Sequence, residues 1–426
     1  MNRVIFTVLF IAIIVIPISS NIHLDDIISD SEFIKKIESK FLPTTTVVEA
    51  FEIKLTEQEK TDLKVVNEKI NNLEKNVYSS TANILDAELV NINKKVNEFV
   101  AFYNYEQFTL KNNGIKGLYL NGYHYLVKDK IEPIFQILES TDVNTVVIDV
   151  KTDNGHLLYE SEIEEVLTLN NIRKKFSAED LINFKNSYEI YLIGRVVAFQ
   201  DPIYAQKYPT SAILDLSNGQ PYSQDGQFFL DPSDDLARKY ILNVAIEACE
   251  LGFDEIQLDY IRYPDTNNTN LQFDEESTLE TRTKNINSFL FEVREELHAR
   301  GCLLSADIFG YVLIAKNDNG IGQLLESLLE NVDFISPMVY PSHYSKGSYG
   351  FSNPNSYPYE IITASLNDGL KRGVDKVKLR PFLQGFWHTD EQVRLNIKAA
   401  EDLGVGWLLW NNVSNYNLEY FAKLDS

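Results

Sequence analysis

The stretch 254-DEIQLDYIRYPDT-266 decides how the chain is read. Ile256 and Leu258 fall on one side of an extended segment, and Gln257 and Asp259 on the other, because successive side chains of a strand point to opposite faces. The run is too apolar for a surface loop, and it ends at Tyr263-Pro264, where a turn must follow. A buried strand that closes on Asp259 and Arg262 places ionisable groups at the mouth of a sheet.

Working outward, seven more runs of the same texture follow Gly114: GLYLNGY (117–123), TVVIDVK (145–151), YLIGRVVAF (191–199), LLSADIFG (303–310), FISPMVY (334–340), KLRPFLQGF (378–386) and GWLLWN (406–411). Helix-like stretches separate most of them. DDLARKYILNVAIEACELGF follows a Pro-Ser-Asp cap and ends at a glycine; TRTKNINSFLFEVREELHARG and TDEQVRLNIKAAEDLG are two others. Eight strand/helix alternations predict a (β/α)8 (TIM) barrel over residues 114–426. A doubly wound dinucleotide fold would need a glycine-rich phosphate loop after its first strand, and GLYLNGYHYL is not one.

The N-terminal part differs. Residues 4–18 form an almost unbroken apolar run behind a single Arg, the pattern of a signal peptide or signal-anchor over residues 1–20. Residues 21–113 are rich in Lys, Glu and Asn and contain no glycine. Apolar residues at Leu63, Val66, Ile70, Leu73 and Val77, and again at Leu85, Leu89, Ile92, Val96 and Phe99, alternate steps of three and four, which keeps one stripe on one face of a helix. The reading is a helical extension, either a hairpin or a coiled coil, that acts as a spacer or as a self-association module.

The formal charge of −23 repels a phosphate backbone, so no nucleic-acid partner is expected. Two cysteines, Cys249 and Cys302, exclude a disulfide framework and a thiolate metal site; two buried free thiols are expected, with a single bridge as the alternative. The six histidines form neither HExxH nor HxH, and no cofactor is expected.

In such barrels the chemistry sits at the carboxyl ends of the strands. The polar residues closing the runs are Asp149 and Lys151 on one side of the second, Arg195, Asp259, Arg262, Asp307, Tyr340 with His343 beyond it, Gln384 and Trp410. Asp259 and Asp307 lie on neighbouring strands. At an inter-strand spacing of about 4.8 Å their carboxyl groups would stand about 5–6 Å apart, which suits a retaining glycosidase pair. Like charges at that range raise one pKa, so one group acts as acid while the other stays ionised. Arg262 is the expected partner that keeps Asp259 ionised, and Asp149 with Lys151 reads as a supporting salt bridge.

GLYLNGY, VVIDVKTDNG, GRVVAFQDP, DEIQLDYIRYP, SADIFG, IGQ, VDFISPMVYPSHY, RPFLQGF and GWLLWN run in the order of a bacterial family of predicted glycoside hydrolases with a (β/α)8 barrel, which the chain resembles from about Gly114 to Asn412. The resemblance implies that Asp259 corresponds to the family's catalytic acid on strand 4 and Asp307 to a second carboxylate on strand 5. It supplies no substrate. The DxxDxDxE signature of chitinase-type barrels is absent. The expected function is a secreted or membrane-anchored glycoside hydrolase acting on a polysaccharide or cell-wall glycan, with Asp259 as nucleophile, Asp307 as acid/base, and Asp149, Lys151, Arg195, Arg262, Tyr340, His343, Gln384 and Trp410 around the sugar. The alternatives are a non-catalytic carbohydrate-binding or cell-surface barrel, and a tethered assembly protein whose working part is the helical region.

Overall fold

A computed structural model describes residues 82–422. The apolar run at 4–18 and the first helical stripe at 63–77 lie outside the described residues. Among the described residues no helix is long and apolar enough to cross a membrane.

Eight parallel strands close into a barrel: β1 (Lys116–Leu120), β2 (Thr145–Lys151), β3 (Tyr191–Val197), β4 (Glu255–Asp259), β5 (Leu303–Phe309), β6 (Phe334–Val339), β7 (Phe382–Gln384) and β8 (Trp407–Trp410), with β8 hydrogen-bonded back to β1. Ahead of β1 runs helix α1 (Ala82–Asn112). The outer helices are α2 (Lys128–Ser140), α3 (Glu164–Leu169), α4 (Ala178–Tyr188), α5 (Pro202–Lys207), α6 (Asp235–Glu250), α7 (Leu279–His298), α8 (Leu325–Asn331), α9 (Pro358–Lys371) and α10 (Asp390–Leu403). Local sequence sets their ends. The Thr389 side chain accepts from the Gln392 amide while Gln392 answers back to the Thr389 amide, and α10 stops where Gly404 takes a left-handed φ of 68°.

Alternation along the strands sorts the core into two clusters. Leu118, Val146, Ile148, Leu192, Ile256, Leu258, Leu304 and Leu409 pack outward against the helices. Tyr119, Val147, Ile193, Leu303, Phe334, Phe382 and Leu408 form the separate interior cluster. The parity read from the sequence of β4 therefore holds: its apolar side meets the helices, and Glu255, Gln257 and Asp259 face the barrel axis.

The barrel unit begins at Asn97, inside the segment read as a helical extension up to residue 113. The second apolar stripe lies on the continuous helix α1. From Asn97 on, this helix closes the amino-terminal end of the barrel. Ala101 and Tyr105 are buried in the interior cluster, and the Tyr105 ring sits 4.5 Å from that of Phe334 and 5.5 Å from that of Tyr191. Under this floor Arg380 pairs with Glu255 at 2.5 Å, both fully buried, with the Arg380 guanidinium 3.9 Å from the centre of the Phe334 ring. Asn97 and Glu98 also tie the helix to the end of α7, through the Ala299 carbonyl and His298.

The cysteines are not free thiols. Cys249 at the end of α6 and Cys302 just before β5 form a disulfide. Their sequence separation of 53 gives no local signal, but α6 and β5 flank β4 in the fold, which brings the two sulfurs together.

Candidate active site

The carboxyl ends of β2, β3, β4 and β5 carry Asp149, Arg195, Asp259 and Asp307, and the register fixes their heights. Asp149 pairs with Arg195, and Val197 with Asp259. Ala306 pairs with Leu258, so the next residues, Asp307 and Asp259, stand at one level on adjacent strands.

Arg195 is the centre of the cluster. Its Nη1 donates to Asp149 Oδ1 at 2.6 Å, and its Nη2 and Nε donate to Asp259 Oδ2 at 2.5 and 3.0 Å. Asp307 Oδ2 lies 3.9 Å from the same Nε. The indole of Trp410 stacks on Tyr119 at 3.8 Å, and the Arg195 guanidinium lies 5.1 Å from the Trp410 ring centre. Tyr119 donates to Asp149 Oδ2 at 2.6 Å. Asp259 Oδ1 accepts the backbone N–H of Tyr260 at 2.6 Å, where the chain leaves the strand with a left-handed φ of 50°.

Three carboxylates around one guanidinium leave an excess of negative charge in a nearly dry site. Burial lowers the pKa of Arg195, but Asp259 and Asp149 more than offset this and hold it well above its usual value. Burial raises Asp149, against the opposing pull of Arg195 and the Tyr119 hydroxyl. Asp307 is only 1% exposed, and its Oδ1 has no hydrogen-bond partner among the described residues. Burial, then the charge of Asp259, pushes it well above the usual carboxylate range. One carboxyl group of the cluster is thereby set apart as the proton holder.

Tyr340 is buried beside the same pair; burial and then the charges of Asp307 and Asp259 keep its hydroxyl protonated. The Gln384 side chain accepts from the Ser342 amide at 3.1 Å and donates to the Phe386 carbonyl at 2.9 Å, which pins the loops after β6 and β7. His343 is exposed at the rim, its ring edge-on to Tyr340 at 5.3 Å.

Two expectations are corrected by the placement. Lys151 does not share a side with Asp149. The β2–β3 register shifts between these two residues, and this bulge turns Lys151 out of the mouth, where it is fully buried against Asp201 at 2.9 Å and the Val197 carbonyl at 2.8 Å. No Asp149–Lys151 salt bridge forms; Asp149 pairs with Arg195 instead. Asp259 likewise pairs with Arg195 rather than with Arg262. The Arg262 guanidinium lies over the rings of Phe309 at 4.8 Å and Tyr260 at 5.1 Å and donates to the Tyr263 carbonyl. Tyr119 was missed, although its place at an inward position of GLYLNGY was a usable signal. Among the described residues no group of His, Cys, Asp and Glu is arranged to hold a metal ion.

Residues 117–416 match a family model described as "Putative glycosyl hydrolase domain". Among solved structures, a hypothetical protein from Ruminiclostridium thermocellum is 33% identical, the match covering 45% of this chain and 96% of that one at a TM-score of 0.40. The PgaB (BpsB) glycoside hydrolase domain from Bordetella bronchiseptica shares the fold at a TM-score of 0.55 and 10% identity, over 71% of this chain and 95% of that one. The spore cortex-lytic enzyme SleL from Bacillus megaterium aligns at a TM-score of 0.44 and 9% identity over 72% of each chain. No curated protein matches the sequence.

Proposed function

Because this chain belongs to the glycosyl hydrolase family whose model spans most of it, we propose that it cleaves a polysaccharide by a retaining, two-carboxylate mechanism. Asp259, held by two guanidinium nitrogens and a backbone amide, is the nucleophile that attacks the anomeric carbon. Asp307 gives its proton to the departing glycosidic oxygen, then takes one from the water that releases the sugar from Asp259. Asp149 and Tyr119 hold Arg195 in place, and Trp410, Tyr340, Gln384, His343 and Arg262 shape the walls around the sugar; Lys151 has no place in that set.

The observation that carries the reading is the shared guanidinium. Oδ2 of Asp259 and Oδ2 of Asp307 both approach Nε of Arg195, so they are separated by at most the two lengths together, about 6.9 Å. That bound contains the roughly 5–5.5 Å of a retaining pair and excludes most of the wider inverting range. The net charge of −23 favours a neutral or cationic glycan over an acidic one. The disulfide supports an oxidising compartment, and with the apolar run at 4–18 it favours work outside the cytoplasm, secreted or anchored.

The test is incubation of the purified chain with cell-wall glycans and exopolysaccharides, with released reducing ends measured and the product anomer followed by NMR. Retention of configuration is expected, together with a loss of at least about 10³-fold in kcat for Asp259→Asn. Full activity of Asp259→Asn would remove the assignment. The near-complete burial of Asp307 favours a second reading, a glycan-binding barrel without turnover. Glycan binding without any released reducing ends would select it.

A further inference from the structure

Trp387 belongs to no part of the carboxylate cluster, yet it is the most exposed large apolar side chain among the described residues, at 81%. It follows β7, so it stands at the carboxyl-terminal mouth of the barrel. Its backbone has a φ of 54°, a left-handed conformation that a bulky residue adopts only when its surroundings enforce it.

Here the enforcement is on both sides. The Gly385 amide donates to the Trp410 carbonyl at 2.9 Å, and a side chain at Gly385 would meet that same oxygen at 2.9 Å, so only glycine fits. The Phe386 carbonyl accepts from Gln384, and the Gly385 carbonyl from Asn411. On the other flank both ring nitrogens of His388 are engaged, with Asn355 at 2.9 Å and Asn396 at 3.1 Å. An indole is thus braced in solvent, in an unfavourable backbone geometry, with no packing gained by it.

The indole is also continuous with the site. The Phe386 ring lies 5.1 Å from Trp387 and 5.3 Å from Tyr340, so Trp387 is at most about 10 Å from the ring beside the two carboxylates. We propose that Trp387 is the stacking platform of a distal sugar subsite, which binds the face of a ring in the same neutral or cationic glycan chain whose scissile bond lies between Asp259 and Asp307. A flat, stiff aromatic surface offers contact area at little entropic cost, and it contributes only when the substrate is long enough to reach it. The proposal rests on the hydrolase reading for the identity of the central site, but the subsite can be tested without turnover.

The chain has three tryptophans, and Trp407 is buried while Trp410 is stacked on Tyr119. The acrylamide-quenchable fluorescence therefore comes mainly from Trp387. In the full chain carrying Asp259→Asn, cello-, chito- and malto-oligosaccharides of one to six units serve as probes. Fragments of four or more units of at least one series should protect the exposed indole from quenching, and single sugars should not. Trp387→Ala should weaken binding of the long fragments about tenfold and leave short ones unchanged, while Trp387→Phe keeps most of the affinity. A melting point of Trp387→Ala at or above that of the parent shows that folding is not the cause. Equal binding of long fragments by Trp387→Ala and its parent, or no length-dependent protection in any series, overturns the subsite. Protection of Trp387 in a wild-type chain that releases no reducing ends would sink the hydrolase reading and leave the subsite standing. Cleavage with an unchanged KM for long chains in Trp387→Ala would do the reverse.

Discussion

Replacing Arg195 by Met removes the one cation that Asp149 and Asp259 share. Their side chains are 3% and 9% exposed, and the guanidinium touches them at 2.6 and 2.5 Å. Removing one partner of a buried ion pair typically costs about 3–5 kcal/mol, because the remaining charge keeps its desolvation penalty. Here two carboxylates lose the same partner, but they belong to one network and their costs do not simply add, so a loss of about 5 kcal/mol is expected. In a unit of this size that corresponds to a fall of roughly 8 °C or more in melting temperature. The sign of the pH dependence identifies the cause. Burial already raises Asp149, and Arg195 is the largest influence lowering it. Without Arg195 its folded pKa rises further above the unfolded value. The group then favours the folded state when protonated at low pH, and that contribution is lost as pH rises through the folded pKa. The gap between variant and wild type should therefore be widest near pH 8 and shrink toward pH 5, and adding Asp149→Asn should recover part of it at pH 8. Thermal and urea denaturation of both proteins across that range are the assays. A deficit below about 1 kcal/mol, or one that is the same at pH 8 and pH 5, would refute the claim that the guanidinium neutralises buried carboxylates.

Three other outcomes are expected. Asp307→Asn should abolish hydrolysis yet melt above wild type at pH 8, with the difference closing toward pH 4, because burial raises the Asp307 pKa and its ionisation opposes folding; denaturation at both pH values decides this. Breaking the Cys249–Cys302 bridge, by reductant or by Ala at both positions, should lower unfolding stability by about 4 kcal/mol for a loop of separation 53, and an unchanged denaturant midpoint would count against it. A chain starting at residue 114 should lose roughly 4 kcal/mol or more, or aggregate, since Tyr105 and Ala101 are stripped from the barrel floor, whereas a chain starting at residue 97 should melt like the full chain.

Strand positions were legible because a barrel wall imposes a strict two-residue period, and the run from Thr145 to Lys151 matches β2 end to end. The same period put Asp149, Arg195, Asp259, Asp307, Gln384 and Trp410 on the inner side. It failed at Lys151 because a bulge depends on how two strands hydrogen-bond, and neither strand alone carries a mark of it. The choice between Arg195 and Arg262 was hidden for a similar reason. Arg262 is three residues from Asp259 in sequence, but Arg195 reaches it across a register that only the assembled sheet defines. The free-thiol expectation failed because a pairing over 53 residues is a property of topology. The floor helix was read as a spacer because its apolar stripe has the same spacing whether it meets a second helix or the end of a barrel.

The irregularity in β2 has an outcome that substitutions would not reveal. One extra residue lets a single strand aim an acid at the substrate side and, two positions on, a cation at the outer wall. Deleting Val150 would restore an even pleat and re-phase everything after it. Lys151 would be drawn from its pocket against Asp201, and the turn that follows would arrive one step early. Along this strand the chemistry is protected by the count of residues as much as by their kind, so a frame-preserving loss of one codon should be far more damaging than most exchanges of one side chain for another.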